Sequence, residues 1–159
     1  QAVEKRKILI EKLENNLKIK PYYTRNHLYL GDSHTYLLTL DPENKPVNFS
    51  KAQNYYSKAI ELSPLRQEGH MGLAQLYRSV NQFDKSISIL QELIETNNEY
   101  GPAHFWLAIN YFYQNKIEEG TEALKKAIDS HYELPMNNLE IVFKDKPDIL
   151  QDILKKIEK

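Results

Sequence analysis

Residues 67–100 read QEGHMGLAQLYRSVNQFDKSISILQELIETNNEY, and the next 34 residues, 101–134, read GPAHFWLAINYFYQNKIEEGTEALKKAIDSHYEL. The two lines pair by residue type: His70 with His104, Leu73 with Leu107, Ala74 with Ala108 and Tyr77 with Tyr111. In the second half of the unit Phe83 pairs with Ile117, Ser86 with Gly120, Leu90 with Leu124 and Leu93 with Ala127. One step upstream, Phe49, Ala52, Tyr56 and Ala59 fall on Phe83, Ser86, Leu90 and Leu93. The apolar positions of each half recur at helical spacing, so each unit is predicted to be a pair of helices. A fixed period of this length marks stacked units that cannot bury a core alone. It points to a binding scaffold rather than to a catalyst.

Working outward, the same periodicity predicts helices at roughly 3–17, 25–40, 49–62, 136–144 and 147–157. Pro21 and Pro64 close the first and third of these, and Asp41-Pro42 ends the second. Residues 41–46 read as a turn, since two prolines bracket a polar run. His27, Leu30-Gly31 and His34 match His70, Leu73-Ala74 and Tyr77, but 43 residues away, and the extra nine fall across 38–46 between the helices. Residues 1–23 match the second helix of a unit whose first helix is missing, although Leu9 falls in the small-residue slot of Ala52. That helix is expected to expose Ile8 and Ile10. The chain opens on Gln1, consistent with a piece cut from something longer. The expected organisation is a half unit at 1–23, a unit with an inserted segment at 24–66, units at 67–100 and 101–134, and a degenerate capping pair at 135–159.

Composition narrows the class. Twenty-one basic residues face 22 acidic ones, net −1, which leaves no broad footprint for nucleic acid. Cysteine is absent, so disulfides and cysteine-ligated metals are excluded. No apolar run approaches a membrane span, and no signal-peptide pattern opens the chain. The compartment stays unknown.

The repeated pattern resembles the tetratricopeptide repeat (TPR). His70, Leu73-Ala74 and Tyr77, then His104, Leu107-Ala108 and Tyr111, match its first helix; Ala52, Tyr56, Ala59 and Pro64 match its second. The resemblance implies an all-α solenoid of antiparallel helical hairpins winding into a right-handed superhelix. Small residues stand where backbones approach and large ones where gaps open. A narrower resemblance rests on Ala59 to Arg66 and Tyr100 to Ala108, which look like the soluble TPR tails of bacterial O-antigen ligase or polymerase-like membrane proteins.

The family resemblance implies a concave surface lined by fixed slots of each first helix. These fall on Arg25, Leu28, Asp32 and Tyr36, then Met71, Gln75 and Arg78, then Phe105, Ile109, Phe112 and Tyr113. Met136, Leu139 and Phe143 extend the series. The last full set forms an apolar stripe, the kind of patch that marks a partner site when exposed. Gly72, Pro102 and Trp106 stand where a two-carboxylate clamp for chaperone tails needs asparagine, lysine and arginine, which argues against that ligand.

Chemistry leaves few traces. His27, His70 and His104 share one repeat slot, about 10 Å or more apart on successive hairpins, too far to share a zinc ion. No Gly-x-Ser-x-Gly elbow and no phosphate loop is present. The sequence therefore predicts a non-catalytic scaffold without cofactor or metal. Its partner is a protein or peptide, another part of the same polypeptide, or a second copy. The accessory tail of a membrane glycan ligase and a purely structural module remain open alternatives.

Overall fold

The computed structural model describes residues 1–157. Among them the fold is all-α: α1 (Ala2–Ile19), α2 (Thr24–Leu40), a 3-10 turn (Pro42–Asn44), α3 (Lys45–Leu62), α4 (Gln67–Arg78), α5 (Phe83–Thr96), α6 (Gly101–Tyr113), α7 (Ile117–Asp129), α8 (Met136–Val142) and α9 (Pro147–Ile157). Proline sets several starts. Pro46, Pro102 and Pro147 occupy first turns, where a missing N–H leaves no helical bond unmade. No helix of the described residues is long and apolar enough to cross a membrane.

The inserted stretch 38–46, with its predicted turn at 41–46, is largely helical. With 17 and 18 residues, α2 and α3 exceed α4 (12), α5 (14), α6 (13) and α7 (13). At about 3.6 residues per turn, the nine inserted residues become roughly one extra turn on each helix. Extending two packed helices keeps their backbone groups bonded, which a loop of that length would not do. The shorter turns instead use asparagine. Asn81 and Asn115, one repeat apart, sit at φ of 60° and 59° just before α5 and α7. Asparagine tolerates this left-handed region better than other side chains.

The chain divides into two compact units, Gln1–Val80 and a second from Asn81 onward. In unit 1, Ile10, Leu13, Leu30 and Leu37 form the layer between α1 and α2. Leu28, Leu38, Ala52, Tyr56, Ala59 and Leu76 join α2, α3 and α4. The Tyr56 ring fills a gap that two glycines leave. A Cβ on Gly31 would lie 2.6 Å from the ring, and one on Gly72 closer still. In unit 2, Gly120 of α7 makes the same room for Phe112 of α6. On α1, Ile8 and Leu9 are exposed, at 46% and 40%, whereas Ile10 is buried. The expectation for Ile10 is thus corrected: it points into the α1/α2 layer.

Candidate functional site

On α2, Arg25, Asp32 and Tyr36 are exposed. Spaced at i, i+7 and i+11, they share one helix face. On α4, Gln75 is exposed and Met71 and Arg78 are half-buried, at i, i+4 and i+7. The two helices touch within unit 1, so these side chains belong to one packed pair. Leu28 departs from the expectation. It is 7% exposed and belongs to the core layer with Tyr56, so it supports this face from below.

The face is tied to the interior by hydrogen bonds. The Tyr56 hydroxyl donates to Asp32 Oδ1 at 2.7 Å, after its ring has passed between the glycines. Thr35 donates to the Gly31 carbonyl at 2.9 Å and lies 3.3 Å from the same hydroxyl. Burial, followed by the Asp32 charge, pushes the Tyr56 phenol well above its ordinary range, so it stays a donor. Arg6 of α1 stacks over the Tyr36 ring at 4.5 Å. Arg66 donates to Glu68 at 2.9 Å. That bond, with a smaller contribution from Arg25, holds the Glu68 carboxyl below its usual value.

Unit 2 corrects the sequence reading. Phe105, Ile109 and Phe112 are 0%, 1% and 5% exposed, so three of the four stripe residues are core. The chain's own C-terminal segment helps to cover them. The Phe143 ring meets Phe112 edge-on at 5.0 Å, and Tyr132 lies 5.8 Å from Phe105. Leu139, also read as groove lining, is fully buried on α8, which packs on α6. Tyr113 stays exposed and stacks on Phe83 at 5.3 Å.

The histidines hold loops. His27 Nε2 lies 2.9 Å from the Pro21 carbonyl and His104 Nε2 2.8 Å from that of Asn98, each six residues upstream. Since a carbonyl only accepts, both rings donate from Nε2. No group of three or more histidine, aspartate or glutamate residues that could hold a metal ion occurs among the described residues.

His34 has partners that the sequence did not reveal. Its Nδ1 lies 2.9 Å from Asn48 Oδ1, and its ring stacks on Tyr55 at 5.8 Å. The Tyr55 hydroxyl in turn donates to Glu14 at 2.9 Å. Burial lowers the His34 pKa below its ordinary value; the Asn48 bond opposes this, Lys51 adds to it and Glu14 opposes it. Asn48 lies on the added turn of α3, which explains why no motif signalled the pair.

Residues 68–100 match the family model described as a tetratricopeptide repeat. The chain carries a TPR. Solved structures agree in fold. A thermophilic TPR protein of Thermus thermophilus is 14% identical with a TM-score of 0.69, over 94% of this chain and 72% of that one. MamA 41-end from Desulfovibrio magneticus RS-1 is 16% identical with a TM-score of 0.65, covering 94% and 81%. A further MamA structure is 18% identical with a TM-score of 0.64, covering 93% and 84%. These likenesses establish an all-α TPR solenoid fold. No curated protein matches the chain in sequence. None of these matches adds support to the narrower resemblance to ligase tails. TPR domains generally bind proteins or peptides and are generally non-catalytic.

Proposed function

We propose that this TPR chain is a non-catalytic scaffold that takes a peptide segment on the α2/α4 face of unit 1. One observation carries the reading: Arg25, Asp32, Tyr36 and Gln75 stand exposed there, while three of the four stripe residues of unit 2, Phe105, Ile109 and Phe112, are buried. Tyr36 offers a large, stiff contact surface with a polar tip, the usual makeup of an anchor. Asp32 can accept backbone N–H groups, Gln75 can both donate and accept, and Arg25 and Arg78 suit carboxylates. Met71 supplies an adaptable apolar floor.

A peptide-display selection against the full chain tests the reading. Selected peptides should lose affinity for Tyr36→Ala and Asp32→Ala variants whose melting curves match the wild type. Equal binding to both variants would exclude this face. A second reading, self-association, is favoured by the exposure of Ile8, Leu9 and Tyr29 in the same unit. Light scattering separates the two, because self-association predicts a mass that rises with concentration.

A further inference from the structure

At the repeat slot where Tyr77 and Tyr111 stand, the first hairpin carries His34. Both tyrosine hydroxyls accept a bond from a glutamine on the preceding helix, Gln53 to Tyr77 at 2.9 Å and Gln91 to Tyr111 at 3.3 Å. His34 is satisfied on one side only. Its Nδ1 meets Asn48 Oδ1, whereas His34 Nε2 and Asn48 Nδ2 are buried without a partner. The two side chains are 3% and 5% exposed, and both line a cleft of about 340 Å³ formed by α1, α2 and α3. Around it Lys7 pairs with Asp41 and Lys51 with Glu14, each at 3.7 Å, and Glu11 adds a further carboxylate.

Bond counting restricts the ligand. If His34 Nδ1 donates to Asn48, then His34 Nε2 accepts and the Asn48 amide donates. If the amide is turned over and the tautomer switched, His34 Nε2 donates and the Asn48 oxygen accepts. Either way the pair offers at least one donor together with one acceptor. A carboxylate only accepts and an ammonium only donates, so each leaves one buried atom unmet. A carboxamide does both.

We propose that this cleft binds a carboxamide group, through the paired His34 and Asn48 side chains. The proposal is independent of the α2/α4 face. The probes are acetamide for a side-chain amide and N-methylacetamide for a backbone peptide group, with acetate and methylammonium as controls. Each is titrated into the full, ¹⁵N-labelled chain while the His34 ring and Asn48 amide signals are followed by NMR.

Saturable shifts of both signals with an amide are expected. Response to acetamide alone assigns an asparagine or glutamine side chain, and response to both amides assigns a peptide group. His34→Tyr restores the residue of the other two hairpins and should weaken the response at least tenfold. Three outcomes would overturn the proposal: no saturable shift with either amide, meaning that the pair holds only water; an equal response to acetate or methylammonium; or a His34→Tyr variant that responds like the wild type.

Discussion

The two units use the same repeat wording and end with different surfaces. Unit 1 leaves Ile8, Leu9, Tyr22, Tyr29 and Tyr36 exposed, whereas in the inner-face stripe of unit 2 Phe105 and Phe112 are covered by Tyr132 and Phe143 and Tyr113 alone of the four stays exposed. A slot therefore does not by itself decide whether a residue is site or core. What the chain places next to that slot decides it. Phe105 and Phe112 look like anchors until α8 is laid over α6; Tyr36 stays exposed, with Arg6 over its ring face.

The largest expected effect attacks this contrast directly. Phe112→Ala should destabilise unit 2 by about 3–5 kcal/mol, because it removes a buried ring and leaves a cavity beside Phe143 and Gly120. Urea unfolding measures it. Peptides selected on the α2/α4 face should bind the folded variant unchanged. Wild-type stability would mean that the stripe is not core after all.

The complementary change falls on unit 1. Tyr36→Ala should leave unfolding within about 0.5 kcal/mol, as for other exposed positions. Loss of a binding anchor typically costs about 2 kcal/mol, roughly thirtyfold in Kd. Isothermal titration with a selected peptide checks this. Together the two variants form a crossed pair, in which stability should respond in one unit and affinity in the other.

Gly31→Ala sharpens the packing side. In an exposed helix this change gains about 1 kcal/mol. Here the new methyl would meet the Tyr56 ring, so a net loss of roughly 1–3 kcal/mol is expected. A stabilised variant would show that the ring can shift, and with it the bond to Asp32.

The sequence carried the helices and their pairing, because the 34-residue period repeats small and large residues at matched positions. It placed 38–40 in a helix but did not carry the fate of 41–46, since helix extension and looping share the same composition there. The exposure of Phe105, Ile109 and Phe112 depended on contacts with a C-terminal pair whose repeat signal is degraded, Asp145 standing where tyrosine is expected. The His34–Asn48 contact spans 14 residues across two lengthened helices, a separation that no short motif encodes. Asn81 and Asn115 stand one period apart in the sequence, and only the turn geometry shows their shared left-handed backbone.

The smallest effect concerns pH and separates unit 1 from its neighbour again. Burial holds the folded pKa of His34 below the ordinary 6.5. Between these two values the unfolded chain binds more protons than the folded one, so stability should fall as pH drops below about 6.5. Above that value His34 is neutral in both states and contributes no slope. The informative quantity is the difference between wild type and His34→Tyr. That difference should be constant above neutrality and should shift in favour of the tyrosine variant on acidification, because tyrosine has no proton to gain there. Urea unfolding at a series of pH values from about 7.5 down to about 5 would measure it. Parallel curves across the range would mean that the His34 ring takes up its proton without cost, and hence that the layer of α1, α2 and α3 around it is more open to water than its burial implies.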